Sequence, residues 1–124
     1  MNETDDLCAP EPRGPRLLHA ADYTVRMTVA DGTCAIQVCG SVDWHAAPAL
    51  RGTLLERAAR VPTTVVDLSG LTFADSALLH VLLDVQRHCR ASGARLVIDA
   101  RLQPVLARLF TVTGASAYFE FGDR

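Results

Sequence analysis

The sequence predicts an α/β fold: a mixed central sheet of about five strands in the order ββαβαβαβ, with the helices packed on it. Three observations carry this reading. Two period-two runs flank Asp31-Gly32, and three segments of helical period each lead into a short apolar strand. The chain has 124 residues, of which 49% are apolar, enough for one domain with a single core.

Residues 1–20 lack hydrophobic periodicity and hold three prolines, so they are expected to form a flexible N-terminal tail ahead of a domain spanning 21–124. In 23–30, "YTVRMTVA", Tyr23, Val25, Met27 and Val29 alternate with polar residues, as in a half-buried strand. Asp31-Gly32 then reads as a tight hairpin turn into a second strand at 33–40, "TCAIQVCG". Over 43–60 the period changes. Leu50, Leu54, Leu55 and Ala58 fall on one helical face, and Pro48 suits a first turn, where its missing N–H is not needed. "TTVVDL" (63–68) is a covered strand, followed by a helix from about 75 to 91 that ends at Ser92-Gly93. The strand "RLVIDA" (95–100), a helix over 102–114 and a last strand "SAYFEF" (116–121) complete the order. Strands joined through helices are parallel neighbours, whereas the opening hairpin is antiparallel, so the sheet is mixed.

Composition narrows the function. With 12 basic and 14 acidic residues scattered without a run, the net charge of −2 gives no footprint for nucleic acid or an anionic membrane. No apolar run approaches the ~20 residues that span a bilayer, and the acidic, proline-rich start lacks the apolar stretch of a signal peptide. A cytoplasmic protein is expected. The four cysteines, Cys8, Cys34, Cys39 and Cys89, lack both a C-x-x-C pair and zinc-site spacing, so they are expected to stay reduced, with Cys34 and Cys89 acting as small hydrophobes.

The middle helix separates two faces. At 100° per residue, Leu78, Leu79, Leu82, Val85 and Cys89 gather on a sheet-facing side, with Asp75 at its N-terminal edge. Ser76, His80, Asp84, Arg87 and His88 gather on the other side, and Leu83 projects into this polar stripe. A solvated face explains such a stripe. A docking ridge of Ser76, His80, Leu83 and Arg87, with one apolar anchor among polar residues, explains it as well. Ser76 stands in the first turn, where unpaired N–H groups and the helix dipole favour negative charge, so a phosphate there suits the fold. It would not suit an acidic or apolar partner surface.

Other chemistry finds less support. Asp75, Ser76 and His80 could be drawn as a hydrolase triad, but Gly-x-Ser-x-Gly is absent and core leucines follow, so no enzyme is expected. His45, His80 and His88 have no third ligand at suitable spacing, so neither a metal nor another cofactor is expected. Trp44, beside Asp43 before the first helix, is either a lid over the core edge or an interface anchor.

The stretch "VVDLSGLTFADSALLHVLL" resembles the signature of STAS domains, specifically bacterial anti-sigma factor antagonists. "CGSVDWHAAPAL" is similar to the family's element before the first helix, giving Gly40, Val42 and Asp43, and "PVLARLFTVTGASAYFEF" to its third helix and closing strand, with Leu109, Phe110 and Gly114. The likeness covers about residues 23–121, nearly the whole domain, and the three motifs occur in the family's order. It implies a STAS-like fold and partner switching: an unphosphorylated antagonist binds a GHKL-type serine-kinase anti-sigma factor and releases a sigma factor. Phosphorylation of the serine after the Asp, here Ser76, ends the complex, and a PP2C-type phosphatase restores it. The family's acids map to Asp43 and Asp75. Where the family continues Ser/Thr-Gly, this chain has Ala77-Leu78, so its helix is expected to sit farther from the sheet or to start differently. The other reading is a STAS subunit or scaffold of an ABC-type transporter or stress-signalling complex.

Overall fold

The computed structural model describes residues 23–122; the expected tail over 1–20 lies outside them. Strands β1 (Tyr23–Ala30) and β2 (Thr33–Val42) form the antiparallel hairpin, and Asp31 (φ 52°) and Gly32 (φ 78°) both take the positive φ that a type I′ turn demands. Then follow α1 (Ala47–Ala58), β3 (Thr63–Ala74), α2 (Ser76–Ser92), β4 (Arg95–Asp99), α3 (Pro104–Val112), a 3-10 turn (Ala115–Tyr118) and β5 (Glu120–Gly122). The sheet order is β1-β2-β3-β4-β5, with every pair after the first parallel. Because each right-handed crossover steps to the next strand in one direction, all three helices lie on one face of the sheet.

One core lies between these layers. Ile36, Val38, Val66, Leu68, Leu96 and Ile98 from the strands meet Leu50, Leu54, Leu78, Leu82, Val85, Leu106 and Phe110 from the helices. Val97 is also buried but lies outside this cluster, as alternation to the opposite face requires. Cys34 and Cys89 are free and buried, and burial pushes both thiols above their ordinary range, away from reactivity. Cys39 is disulfide-bonded, so the expectation of reduced thiols does not extend to it.

Several boundaries differ from expectation. Strand β3 does not stop at Leu68 but runs to Ala74, taking in the Ser69-Gly70 pair through register shifts against β2 at Gln37/Cys39 and Gly40/Ser41. The last strand keeps only three residues, since Ala115–Tyr118 form a 3-10 turn after Gly114 at φ 77°. Helix α1 begins at Ala47 because residues 43–46 form its capping loop.

Helix α2 starts at Ser76, directly after Asp75, as the sequence reading placed it. It ends at Gly93, left-handed at φ 81°, where the Ala94 N–H donates to the Cys89 carbonyl at 2.8 Å. Leu78, in place of the family's glycine, is wholly buried. The two-sided division of the helix needs correction. Val81 is buried too, and Leu83 is half-buried and packed against the core rather than standing free in a polar stripe. Helix α1 packs along one flank of α2, tied to it by the Arg51–Asp84 ion pair at 2.9 Å, and on the other flank Gln86 donates to the Tyr118 carbonyl at 2.6 Å, so α2 is covered on more than its sheet-facing side.

Candidate functional site

Parallel pairing of β2 and β3 aligns Val42 with Ala74. Each strand is followed at once by an aspartate, Asp43 and Asp75, so two acidic residues and two helix starts lie side by side at the carboxyl end of the sheet. Both carboxylates are engaged with backbone donors. Asp43 Oδ1 accepts the N–H groups of His45 at 2.9 Å and Ala46 at 3.1 Å, closing the loop into α1. Asp75 Oδ1 accepts the Ala77 N–H at 2.9 Å as the N-cap of α2, and its Oδ2 reaches across to the Trp44 N–H at 3.1 Å. Asp75 thus ties the loop that leads into α1 to the start of α2.

Ser76 is the first residue of α2 and is exposed. Among the described residues its hydroxyl has no hydrogen-bond partner, so it is neither used as a cap nor sealed beneath the sheet. His80 stands one turn further along, also exposed, and no hydrogen bond joins it to Ser76. The same end of the molecule carries Trp44, 70% exposed with its ring 4.8 Å from that of His45, and Phe73, 52% exposed. Trp44 therefore does not act as a lid over the core edge.

Of the seven residues expected to meet a partner, Asp43, Trp44, Asp75 and Ser76 are brought together, with His80 next to them. Arg87 lies eleven residues after Ser76, about 16 Å along the helix axis. Its guanidinium bonds Asp84 at 2.6 Å, and Asp84 also takes Arg51. Those two bonds, Arg51's first, hold the Asp84 carboxyl below the ordinary range. Arg87 is thus drawn toward the Arg51–Asp84 pair between α1 and α2, and Leu83 toward the core, some distance from the exposed hydroxyl.

Sequence reasoning passed over Phe73. Simple alternation would put it on the same face as Leu71, which is buried, but the register shift that pairs Gly40 with Leu71 and Ser41 with Phe73 turns Phe73 to the opposite face, away from the helices. It also passed over a second acidic pair. Asp67 and Asp99 are buried just past the last residues that pair β3 with β4, where Arg101 holds Asp99 at 2.9 and 3.0 Å and Asp67 at 3.5 Å. Asp67 Oδ1 also accepts both the N–H and the hydroxyl of Ser69, fixing the bend of β3 beyond its pairing with β4. Among the described residues, no group of three or more His, Cys, Asp or Glu side chains could hold a metal ion, and no helix is long and apolar enough to cross a membrane.

Residues 25–119 match a family model described as "Mlab, STAS domain". A putative anti-anti-sigma factor of Mycobacterium tuberculosis is 33% identical over 125 residues, covering 91% of this chain and 81% of that protein. The crystal structure of an anti-sigma factor antagonist from Mycobacterium paratuberculosis has 27% identity and a TM-score of 0.72, covering 80% of this chain and 84% of that one. The unphosphorylated form of the anti-sigma factor antagonist SpoIIAA has the same fold, with a TM-score of 0.63 at 19% identity over 82% of this chain and 89% of that one. The mixed five-stranded sheet with its three helices matches the fold of these antagonists. The chain belongs to the STAS-domain family, among the anti-sigma factor antagonists. Those antagonists are regulatory proteins rather than enzymes.

Proposed function

We propose that this protein is an anti-sigma factor antagonist of the cytoplasm, controlled at Ser76. Unphosphorylated, it binds a GHKL-type serine-kinase anti-sigma factor and so releases a sigma factor. The kinase phosphorylates Ser76, the complex dissociates, and a PP2C-type phosphatase resets the cycle. Asp43, Trp44, Asp75, Ser76 and His80 form the centre of the docking surface, with Leu83 and Arg87 at its far end. Neither nucleic acid nor membrane is contacted directly.

The observation that carries this reading is the exposed, unengaged Ser76 hydroxyl at the start of α2, next to Asp75, which holds the N–H of the exposed Trp44. An exposed aromatic near a free hydroxyl suits a protein interface, and an apolar or acidic partner surface closed over it is hostile to a phosphate. Phosphoserine carries about −1.5 to −2 charge. Unpaired charge in an interface costs roughly 2 to 5 kcal/mol, and about 4 kcal/mol lowers affinity a thousandfold.

The test is mass spectrometry after incubation with the cell's own anti-sigma kinases and ATP. Phosphate on Ser76 is expected, with Ser76→Asp or Ser76→Glu weakening kinase binding and Ser76→Ala binding without being switched off. Phosphorylation at another residue defeats the proposal. Leu78 in place of the family's glycine favours a second reading, a STAS subunit or scaffold of an ABC-type transporter or stress-signalling complex. A pull-down from native cytosol separates the two, a membrane ATPase in place of a small kinase supporting the second.

A further inference from the structure

We infer that Asp75 is a positioning residue that couples the charge on Ser76 to the placement of Trp44. The inference rests on the reading that Ser76 receives a phosphate, and extends it from repulsion at one atom to a displacement across the docking surface.

The geometry gives one carboxylate two tasks. Oδ1 holds the Ala77 N–H of its own helix at 2.9 Å, and Oδ2 holds the Trp44 N–H, 31 residues away in sequence, at 3.1 Å. The other two N–H groups of that loop, from His45 and Ala46, depend on Asp43. Trp44 is therefore the one residue of the loop whose amide is fixed from the neighbouring helix. A phosphate on the residue after Asp75 brings negative charge beside this carboxylate and new acceptors to the same helix N-terminus. Like charges repel, so the carboxylate turns. The bond to Ala77 is local and shorter. The longer bond across the loops is the one that breaks, and Trp44, already 70% exposed, loses its hydrogen bond to the start of α2.

Asp75→Asn separates the two tasks. With the asparagine oxygen on the Ala77 N–H, its NH2 group faces the Trp44 N–H, donor against donor, so the cap survives and the cross-loop bond does not. The experiment is amide hydrogen exchange by NMR on the full chain in four forms: unmodified, phosphorylated on Ser76, Ser76→Glu and Asp75→Asn. The last three are expected to speed exchange at the Trp44 amide by about tenfold, the scale of one hydrogen bond to a charged group, while His45 and Ala46 keep their rates. The direct field of a phosphate repels hydroxide and slows exchange, so acceleration at Trp44 runs against that simpler effect.

Unchanged exchange at Trp44 in both the phosphorylated protein and Ser76→Glu overturns the inference. Equal acceleration at His45 and Ala46 overturns it too, since the whole loop would then have loosened rather than one bond. If the kinase leaves Ser76 unmodified, the proposed function fails, and Ser76→Glu together with Asp75→Asn still decides the coupling.

Discussion

Replacing Leu82 and Leu83 one at a time tests where α2 meets the core and where it meets a partner. Leu82 is wholly buried between the sheet and the helices. Its truncation to alanine removes about 2 to 5 kcal/mol, transfer energy and residual cavity together. At about 4 to 8 °C per kcal/mol for a domain of this size, a loss near 3 kcal/mol lowers the melting temperature by about 15 °C. Leu83 packs against the same core but keeps part of its surface in water. Its truncation costs about 1 to 2 kcal/mol, because only part of the roughly 1.5 to 3 kcal/mol of a fully buried leucine is at stake. On sequence alone Leu83 stands in a solvated stripe, which predicts little change in stability; contact with the core revises that. Urea unfolding of both variants, with the m-value unchanged, measures the two losses on one scale. Titration with the anti-sigma kinase then shows whether Leu83→Ala also weakens docking. Equal stability losses at the two positions, or no loss at Leu83, would refute the assignment of faces.

Trp44→Ala and Phe73→Ala, made at positions 70% and 52% exposed, should each weaken kinase binding at least tenfold while leaving urea midpoints nearly unchanged. A large stability loss at either would show that the ring serves the core instead. The Asp84 carboxyl is held below its ordinary range by Arg51 and then Arg87, so its contribution is present at neutral pH and is lost as pH falls through the lowered value. Asp84→Asn should therefore lower the melting temperature at neutral pH by an amount that shrinks as the pH falls below the ordinary carboxylate range, and added salt should shrink the neutral-pH difference because the group is partly exposed. A difference that persists in acid would mean that packing, not charge, is responsible.

The parts of the fold set by short-range chemistry were legible in the sequence. Asp31-Gly32 reads as a hairpin because two positive φ angles are needed there, and Asp75 and Gly93 bracket α2 because one caps and the other turns left-handed. What was not legible depended on neighbours distant in sequence. Leu83 looks solvated on an isolated helix, and only packing against the assembled core half-buries it. Phe73 looks like a core residue by alternation until the register shift against β2 turns it to the other face of the sheet. The two aspartates could be picked out singly, but their joint grip on residues 44–46 follows from the β2–β3 register, which no local pattern encodes.

These capped ends also set what phosphorylation does to the domain itself. A dianion on the first residue of α2 gains about 0.3 to 1 kcal/mol from the helix dipole. Repulsion from the half-buried Asp75, screened by solvent at the exposed Ser76, is of the same order, so the two nearly cancel. Losing the Trp44 bond costs little in stability, because it joins an exposed loop to a helix end. Phosphorylated and unmodified proteins should therefore melt within a few degrees of each other, even where affinity for the kinase falls a thousandfold. That separation distinguishes a switch acting at the interface from one acting by unfolding: calorimetry showing a drop of ten degrees or more on phosphorylation would mean that the phosphate breaks the start of α2, and that partner release follows from lost structure rather than from charge placed on an intact surface.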